Sequence, residues 1–393
     1  MDIDNRILQL EKRRAFSPYM KKKTSVRDSL ILFLDSLPRK PGLSECCPND
    51  VCRFLVWKDK AGKNKVHGVQ CKFLGTKGKP SCNCPVRLAS GSVSVMVQHL
   101  VDIFCDIGAG RVWDVSTLSG NPAASPMVRD YLKMVQEEQA RAHVMPKQAA
   151  PIFLSKVRAI SMYIERELAR RDLSLRERFV FLRDQAWFKL QFFGGDRAGD
   201  LAGLVAQDIR SLNDGTGLVL NHTYGKTLRG AKGKANMFVI KKCEESLLCP
   251  VKGLRDYVEG VGKLGVALSP GFLFRVVTDG GRVLDQAVSY SVIYERLRTY
   301  LTTLGIYHGE TPHSFRSGCA VTMALSGAVN NMGQMMRHIG WFGEDSAQYY
   351  SRLPVLRESE YVASKLAKCT SQSEDIEDNF RKSADFESLE KAF

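Results

Sequence analysis

The sequence contains no apolar run long enough to cross a membrane. Across its 393 residues, no hydrophobic stretch approaches the roughly 18 residues that a spanning helix needs. The N-terminus carries Asp2, Asp4, Arg6 and Glu11 and lacks the pattern of a signal peptide. We therefore expect a soluble intracellular protein with no membrane partner.

Acidic residues are scarce relative to basic ones. Lysine and arginine number 57 against 42 aspartates and glutamates, which gives a formal charge of +15 and is typical of proteins that bind polyanions. There is no internal repeat, and no Walker A sequence that would hold the phosphates of ATP. The chain is 44% hydrophobic, which excludes wholesale disorder and predicts two or more domains, with nucleic acid as the leading partner.

The first part of the chain is predicted to be helical after a basic N-terminal segment. Residues 1–25 contain basic runs at 12–14 and 21–23 among few apolar residues and are predicted to be a flexible arm. From 26 to 145, apolar residues recur at helical spacing in three groups: Leu30, Phe33, Leu34, Leu37; Val51, Phe54, Leu55; and Val93, Val97, Leu100, Val101, Phe104. Two prolines among small residues predict a linker at 146–152.

The second part of the chain is predicted to mix helices with a small sheet. Helices are expected over 153–168 and 174–193, and strands over 218–220 and 237–240, with a connection rich in glycine and lysine that indicates a β-hairpin. Helical periodicity resumes up to about residue 353, and residues 356–393 are predicted to form a C-terminal helix and tail, rich in Ser, Glu and Asp from Ser371 onward. The predicted fold class is mixed and mainly α: a helical domain at 26–145 and an α/β domain at 153–355.

Eleven cysteines are many for an intracellular protein, in which disulfides are uncommon. His67, Cys71, Cys82 and Cys84 lie within eighteen residues of an irregular segment, a ligand set that suits tetrahedral zinc. Buried free thiols are the alternative interpretation. The cysteines at 46, 47 and 52 lack a fourth ligand nearby, so we interpret them as packed thiols and not as a second metal site.

Two separated motifs in the second domain place basic side chains at helix starts. Arg197 is followed by Asp200 on the same predicted helix. Thr311 is expected to cap a later helix, which puts His313 and Arg316 one turn apart on one face. A helix N-terminus that also carries a histidine and an arginine favours a phosphate. Taken alone, H-x-x-R often occurs by chance, and an arginine–acid pair on a helix is usually a surface salt bridge.

The order of these motifs resembles the tyrosine recombinase family, the phage integrase and Cre-like enzymes. The resemblance covers roughly residues 150–355, and Tyr350 follows Trp341 by nine residues, as the family spacing requires. The matching positions are Arg197, Lys226, His313, Arg316, Trp341 and Tyr350, with Asp200 at the family's supporting acidic position.

The resemblance implies a role for each of these residues. The two arginines would clamp the scissile phosphate, Tyr350 would attack it, and Lys226 would protonate the 5′ oxygen that leaves. His313 would take the tyrosine proton or hold a phosphate oxygen, and Trp341 would pack the pocket and donate its indole N–H. Alternatives within the motifs are Lys232 and Lys234 for the lysine and Tyr349 for the nucleophile. His338 is predicted to end a helix, and His222 and His308 receive no role.

A second resemblance concerns the N-terminal part of the chain. Residues from about 27 to 105, including His67, Cys71, Cys82 and Cys84, are similar to the plant ALOG DNA-binding domain. That domain carries a zinc ribbon in a helical bundle and is related to recombinases of DIRS-like retrotransposons. The resemblance implies structural zinc at these four residues, and a parent element of the DIRS-like or Crypton type.

Together the two resemblances imply a site-specific DNA recombinase or integrase that works through a 3′-phosphotyrosyl intermediate without ATP or a catalytic metal. The expected partners are double-stranded DNA and three further copies of the chain, with no small-molecule substrate, and the expected location is the nucleus. Residues 358–368 would form a C-terminal helix exchanged between protomers. Two alternatives remain open: a noncatalytic DNA-binding regulator with the same fold, and a type IB topoisomerase.

Overall fold

A computed structural model describes residues 3–15, 17–74, 81–144, 149–222, 236–329, 331–341, 343–344 and 346–347. The chain divides into two compact units, Met1–Lys147 and Gln148–Phe393. No helix in the described part of the chain is both long and apolar enough to cross a bilayer. The predicted fold class is confirmed, since helices dominate both units and the sheets are small and antiparallel.

The first unit contains five helices and two short antiparallel ladders among its described residues. The helices are α1 (Ile3–Ala15), α2 (Pro18–Asp35), α3 (Pro48–Asp59), α4 (Ser90–Asp106) and α5 (Pro126–Arg141). The strands are β1 (Asn64–Lys65), β2 (Val86–Arg87), β3 (Trp113–Asp114) and β4 (Ser119–Gly120), with β1 paired to β2 and β3 to β4.

The core of the first unit is formed by the three apolar faces that the sequence predicts. Leu30 and Leu34 on α2, Val51 and Phe54 on α3, and Leu100 on α4 are each at most 1% exposed. Their spacing of three and four residues places them on one side of each helix, so α2, α3 and α4 bury these sides against one another.

The N-terminal arm differs from the prediction. Residues 3–15 form α1, and α2 begins at Pro18, where the Ser17 hydroxyl accepts a hydrogen bond from the Met20 amide. Lys23 is buried and forms an ion pair with Asp106 of α4. A basic run therefore does not keep this segment out of the fold, because the long lysine side chain packs along the unit and finds a carboxylate partner.

The second unit contains seven helices and five strands in the part that the structure describes. The helices are α6 (Leu154–Leu168), α7 (Leu175–Gly194), α8 (Ala198–Ala202), α9 (Pro250–Lys263), α10 (Tyr290–Thr303), α11 (His313–Ser326) and α12 (Met332–Ile339). The strands are β5 (Ile209–Ser211), β6 (Gly217–His222), β7 (Asn236–Lys241), β8 (Arg275–Val277) and β9 (Val283–Ala287).

Helix α7 is the centre of the second unit and packs against α6, α9 and α11. Its start is fixed by a capping box, in which the Ser174 hydroxyl accepts from the Glu177 amide and the Glu177 carboxylate accepts from the Ser174 amide. Strands β5, β6 and β7 form one antiparallel sheet, with Leu220 of β6 opposite Phe238 of β7. Residues between β6 and β7, including the predicted hairpin lysine, lie outside the described residues.

The two predicted helices at 153–168 and 174–193 and the two predicted strands at 218–220 and 237–240 agree with the structure to within two residues. The helical periodicity predicted after them is interrupted by the antiparallel strands β8 and β9. The end of the predicted linker differs, because Ile152 is fully buried and its amide donates to the Ser314 carbonyl, 2.9 Å away. Gly318 allows this approach, since a Cβ there would lie 1.7 Å from the Ile152 carbonyl oxygen. Residue 152 is thus part of the core of the second unit.

Candidate active site and metal centre

Arg197 stands at the turn between α7 and α8. Helix α7 ends at Gly194 and is capped by Gly195, whose φ of +61° is the left-handed conformation that glycine adopts without a steric penalty. Arg197 then caps α8, and its Nη1 lies 3.3 Å from Oδ2 of Asp200. Both side chains are less than one-fifth exposed. Asp200 therefore forms an ion pair with Arg197, which precedes it by three residues in the sequence.

Arg316 is buried beneath this turn. It is 1% exposed, and its Nη1 donates to the carbonyl oxygens of Gly195 at 2.7 Å and Ile339 at 3.1 Å. The guanidinium carbon lies 5.0 Å from the ring centroid of Trp341, which is 4% exposed. One guanidinium thus connects the turn before Arg197 with the segment that contains the end of α12 and Trp341, two parts of the chain that are far apart in sequence.

His313 is the first residue of α11. The helix begins one residue later than predicted: Pro312 is the cap, and the Thr311 amide donates to the Ser314 hydroxyl at 3.0 Å. His313 is exposed, and its ring centroid lies 6.4 Å from that of Tyr290. Arg316, one turn along the same helix, points into the protein, so an exposed imidazole and a buried guanidinium occupy the first turn.

The structure therefore brings Arg197, Asp200, Arg316 and Trp341 together around the α7–α8 turn, with His313 at the start of the helix that carries Arg316. Lys226 and Tyr350 lie outside the described residues, as do the alternatives Lys232, Lys234 and Tyr349. His338 ends α12 as predicted, and its Nε2 donates to the Phe193 carbonyl at 2.8 Å.

A buried ion pair beside Arg197 was not predicted from the sequence. Nε2 of His222 lies 3.1 Å from Oδ2 of Asp196, and both side chains are 4% exposed. Burial alone would lower the pKa of His222, but the charge and hydrogen bond of Asp196, with smaller contributions from Asp200 and Asp208, raise this pKa above its usual value. The two residues are 26 positions apart, so no local motif marks them.

A buried glutamine beneath the same turn was also missed. Gln191 is fully buried in α7, and its Oε1 accepts from the Trp187 indole N–H at 2.8 Å. Its Nε2 donates to the carbonyl oxygens of Pro312 at 2.9 Å and Asp196 at 3.4 Å. These carbonyls belong to the residues immediately before His313 and Arg197.

The four predicted metal ligands of the first unit come together. The ligand atoms of His67, Cys71, Cys82 and Cys84 all lie within 4.8 Å of one another. Nδ1 of His67 is 3.4 Å from the Cys71 sulfur and 3.5 Å from the Cys82 sulfur. Zinc–sulfur bonds of about 2.3 Å and zinc–nitrogen bonds of about 2.0 Å place tetrahedral ligands about 3.5–3.8 Å apart, so this donor set fits a closed zinc site.

Local backbone structure holds these ligands. The β1–β2 ladder pairs Lys65 with Val86, and the Val66 amide donates to the Pro85 carbonyl at 2.9 Å, which closes the segment on both sides of the cluster. A hydrogen bond from the Cys84 amide and the charge of Lys65 lower the pKa of the Cys82 thiol. Within the described ranges, no other group of histidines, cysteines or acids converges in this way.

Comparison with known sequences finds similarity in the first unit. Residues 8–137 match the ALOG domain. Protein LIGHT-DEPENDENT SHORT HYPOCOTYLS 5 of Arabidopsis thaliana is 39% identical over 105 residues, which are 26% of this chain and 54% of that protein. Protein LIGHT-DEPENDENT SHORT HYPOCOTYLS 6 of the same organism is 33% identical over 131 residues, 33% of this chain and 63% of that protein. The chain therefore spans between half and two thirds of these relatives.

Comparison with solved structures concerns most of the chain. XerH site-specific recombinase, solved with a palindromic difH substrate in a post-cleavage complex, aligns with 84% of this chain and 75% of that chain. The TM-score is 0.52 and the sequence identity 13%. At this identity the similarity shows the fold alone, which this chain shares with the XerH site-specific recombinase.

Proposed function

We propose that this protein is a site-specific DNA recombinase or integrase that cleaves and rejoins DNA strands through a 3′-phosphotyrosyl intermediate. The observation that carries the proposal is the position of Arg316. Its buried guanidinium is held against Trp341 and the turn of Arg197, so two arginines and the His313 helix start converge from distant parts of the sequence. Such a fixed positive cluster suits the charge that grows on a phosphate under nucleophilic attack.

In the proposed reaction, the oxygen of Tyr350 attacks the scissile phosphorus and forms a phosphotyrosyl ester. The bond from phosphorus to the 5′ oxygen breaks, and Lys226 supplies the proton that this oxygen takes up. His313 accepts the tyrosine proton or holds a phosphate oxygen. Attack by a 5′ hydroxyl from another strand reverses these steps and releases the tyrosine, so the phosphodiester count is unchanged and ATP is not needed.

The two arginines, Arg197 and Arg316, have different environments, and we infer different roles for them. Arg197 is partly exposed and paired with Asp200, so it can meet a phosphate that arrives from solvent. Arg316 is buried and held by two carbonyl oxygens, so its geometry is set before the phosphate binds. A guanidinium held in advance stabilises developing charge without reorganisation during the reaction.

The first unit is proposed to grip the DNA duplex and to contain a structural zinc ion. His67, Cys71, Cys82 and Cys84 would hold the ion, which would cross-link an irregular segment that has little apolar core of its own. No step of strand cleavage involves this ion. The excess of 15 positive charges supports a polyanionic partner.

The remaining expectations follow from the same proposal. The active assembly is proposed to be a homo-tetramer on two duplexes, acting in the nucleus on the ends of a mobile element of the DIRS-like or Crypton type. Residues 358–368, which the structure does not describe, are proposed to pass between protomers. The second candidate is a noncatalytic DNA-binding regulator, because the match to the ALOG domain covers residues 8–137, outside the recombinase motifs.

The test uses the full chain with nicked duplexes from the ends of the element that encodes it. A nick beside the scissile phosphate traps the covalent product, which a denaturing gel and peptide mapping then identify. We expect an adduct on Tyr350 that is absent from Tyr350→Phe and present in the matched control Tyr349→Phe. Tight binding without an adduct on any terminus would favour the noncatalytic regulator.

A further inference from the structure

Beneath the candidate active site, α7 contributes a polar residue to a region that is otherwise apolar. Gln191 is fully buried among Phe188, Phe192 and the rest of the core, where an amide costs free energy unless its hydrogen bonds are made. Its orientation is fixed, because the Trp187 indole can only donate and must face Oε1. The Nε2 group therefore points to the two carbonyl oxygens.

Those two carbonyls belong to separate catalytic segments. One is the oxygen of Asp196, next to Arg197, and the other is the oxygen of Pro312, next to His313. The segments are more than a hundred residues apart in sequence. Gln191 is thus a single side chain that hydrogen-bonds the backbone beside the proposed phosphate clamp and the backbone beside the proposed general base.

We propose that Gln191, oriented by Trp187, is a positioning residue that sets the distance between Arg197 and His313 for strand cleavage. This inference rests on the proposed function. It does not make Gln191 a catalytic residue, because the side chain is fully buried and reaches the phosphate only through the two turns. Misplacement of catalytic groups by about 1 Å costs on the order of 100-fold in rate, so a short rigid bridge can matter without touching the substrate.

The test compares Gln191→Met with a matched variant that has no connection to the site. Methionine keeps the unbranched shape but donates no hydrogen bond. Tyr300→Phe is the control, because Tyr300 is 1% exposed and its hydroxyl donates to Asp184 at 2.8 Å, on α7 but away from both turns. Single-turnover cleavage at saturating DNA, DNA affinity, melting temperature and hydrogen exchange are measured on each full-length protein.

For Gln191→Met we expect cleavage to fall on the order of 10- to 100-fold while DNA affinity changes less than about twofold. Amide exchange should rise in the peptides containing 195–197 and 312–314 together. Tyr300→Phe should lower the melting temperature by a similar amount but leave the cleavage rate unchanged. If Gln191→Met fails to fold, Trp187→Phe releases Oε1 while keeping an aromatic ring, and a smaller loss of the same pattern is expected.

Two results overturn the inference in distinguishable ways. Equal cleavage rates for Gln191→Met and Tyr300→Phe would show that Gln191 only stabilises the core, with the proposed function intact. A wild-type protein that binds its termini without forming an adduct would overturn the proposed function and, with it, any role for Gln191 in cleavage.

Discussion

The two candidate sites of this molecule are built in opposite ways. The candidate metal ligands of the first unit lie between residues 67 and 84, on one short segment closed by the β1–β2 ladder. The described residues of the candidate active site come from the α7–α8 turn, the start of α11 and the end of α12, between residues 195 and 341. One site is local in sequence and the other is assembled by the fold.

This difference predicts how each site should respond when one of its residues is replaced. A local cluster can be lost by unfolding its own segment while the surrounding helices stay packed, because their core is formed by other residues. An assembled site depends on contacts among distant elements, so the loss of a single buried group can disturb several candidate catalytic residues at once. The following predictions test this contrast by separating effects on DNA binding from effects on cleavage.

The largest expected effect comes from Arg316→Lys. Lysine keeps the positive charge, but it has no planar guanidinium that could lie against Trp341 while donating to the two carbonyl oxygens. We expect single-turnover cleavage at saturating DNA to fall about 1,000-fold. DNA affinity should fall by less than about tenfold, because the overall charge is unchanged.

Arg275→Lys is the matched control for this loss. Arg275 is also buried, and it donates to the carbonyl oxygens of Ala267 at 3.0 Å, Leu268 at 2.6 Å and Pro270 at 3.0 Å. The Arg275→Lys variant should lower the melting temperature as Arg316→Lys does, but it should leave the cleavage rate of the folded protein unchanged. Comparable cleavage losses in the two variants would mean that the loss reflects stability, and the assembled site would lose its support.

The next largest effect concerns the local site. Cys71→Ser should remove the bound zinc, measured by elemental analysis, and increase hydrogen exchange in residues 64–74 and 81–88. We expect DNA affinity to fall about tenfold and cleavage at saturating DNA to stay the same, because the lost segment lies in the first unit. Cys52→Ser, a partly buried thiol of α3 outside the cluster, is the control and should keep its zinc. Full zinc retention by Cys71→Ser would exclude the proposed ligand set.

The same contrast explains what could be predicted from the sequence. The helical faces around Leu34, Phe54 and Leu100 were predictable because apolar residues at helical spacing have one stable arrangement. The metal cluster was predictable because its ligands are close in sequence. The candidate catalytic residues were proposed from the order of motifs in a known family, since nothing in the local sequence shows that Arg316 packs beneath the turn of Arg197.

The supporting residues could not be predicted, for physical reasons. Helix α7 is buried on nearly all sides between residues 183 and 192, so its polar residues show no amphipathic pattern that would single out Gln191. His222, at the end of β6, and Asp196, which follows α7, meet only in the folded chain. Strand β5 was missed because its three residues are half-buried or exposed and give no alternation.

The smallest expected effect is a difference in the pH dependence of stability between two buried histidines, His222 of the second unit and His99 of the first. His222 faces Asp196, with Asp200 and Asp208 farther away and Arg197 lining the same small cavity, and its pKa is raised. Its contribution to stability is therefore fully present below its unfolded pKa of about 6.5 and is lost as the pH rises through the higher folded pKa. Relative to His222→Gln, the wild-type second unit should be more stable by about 2 kcal/mol at pH 6, and by less at pH 9.

His99 of the first unit should show the opposite slope. Burial lowers its pKa, Lys22 and Lys23 lower it further, and Asp102 opposes them only in part. Its protonation therefore favours the unfolded chain, so stability is fully present above about pH 6.5 and is lost as the pH falls below that value. Urea unfolding of wild type, His222→Gln and His99→Gln between pH 5 and 9, followed by hydrogen exchange in each unit, measures both slopes. Slopes of the same sign would mean that Asp196 does not hold His222 in its charged form, and the buried ion pair beside Arg197 would have to be abandoned.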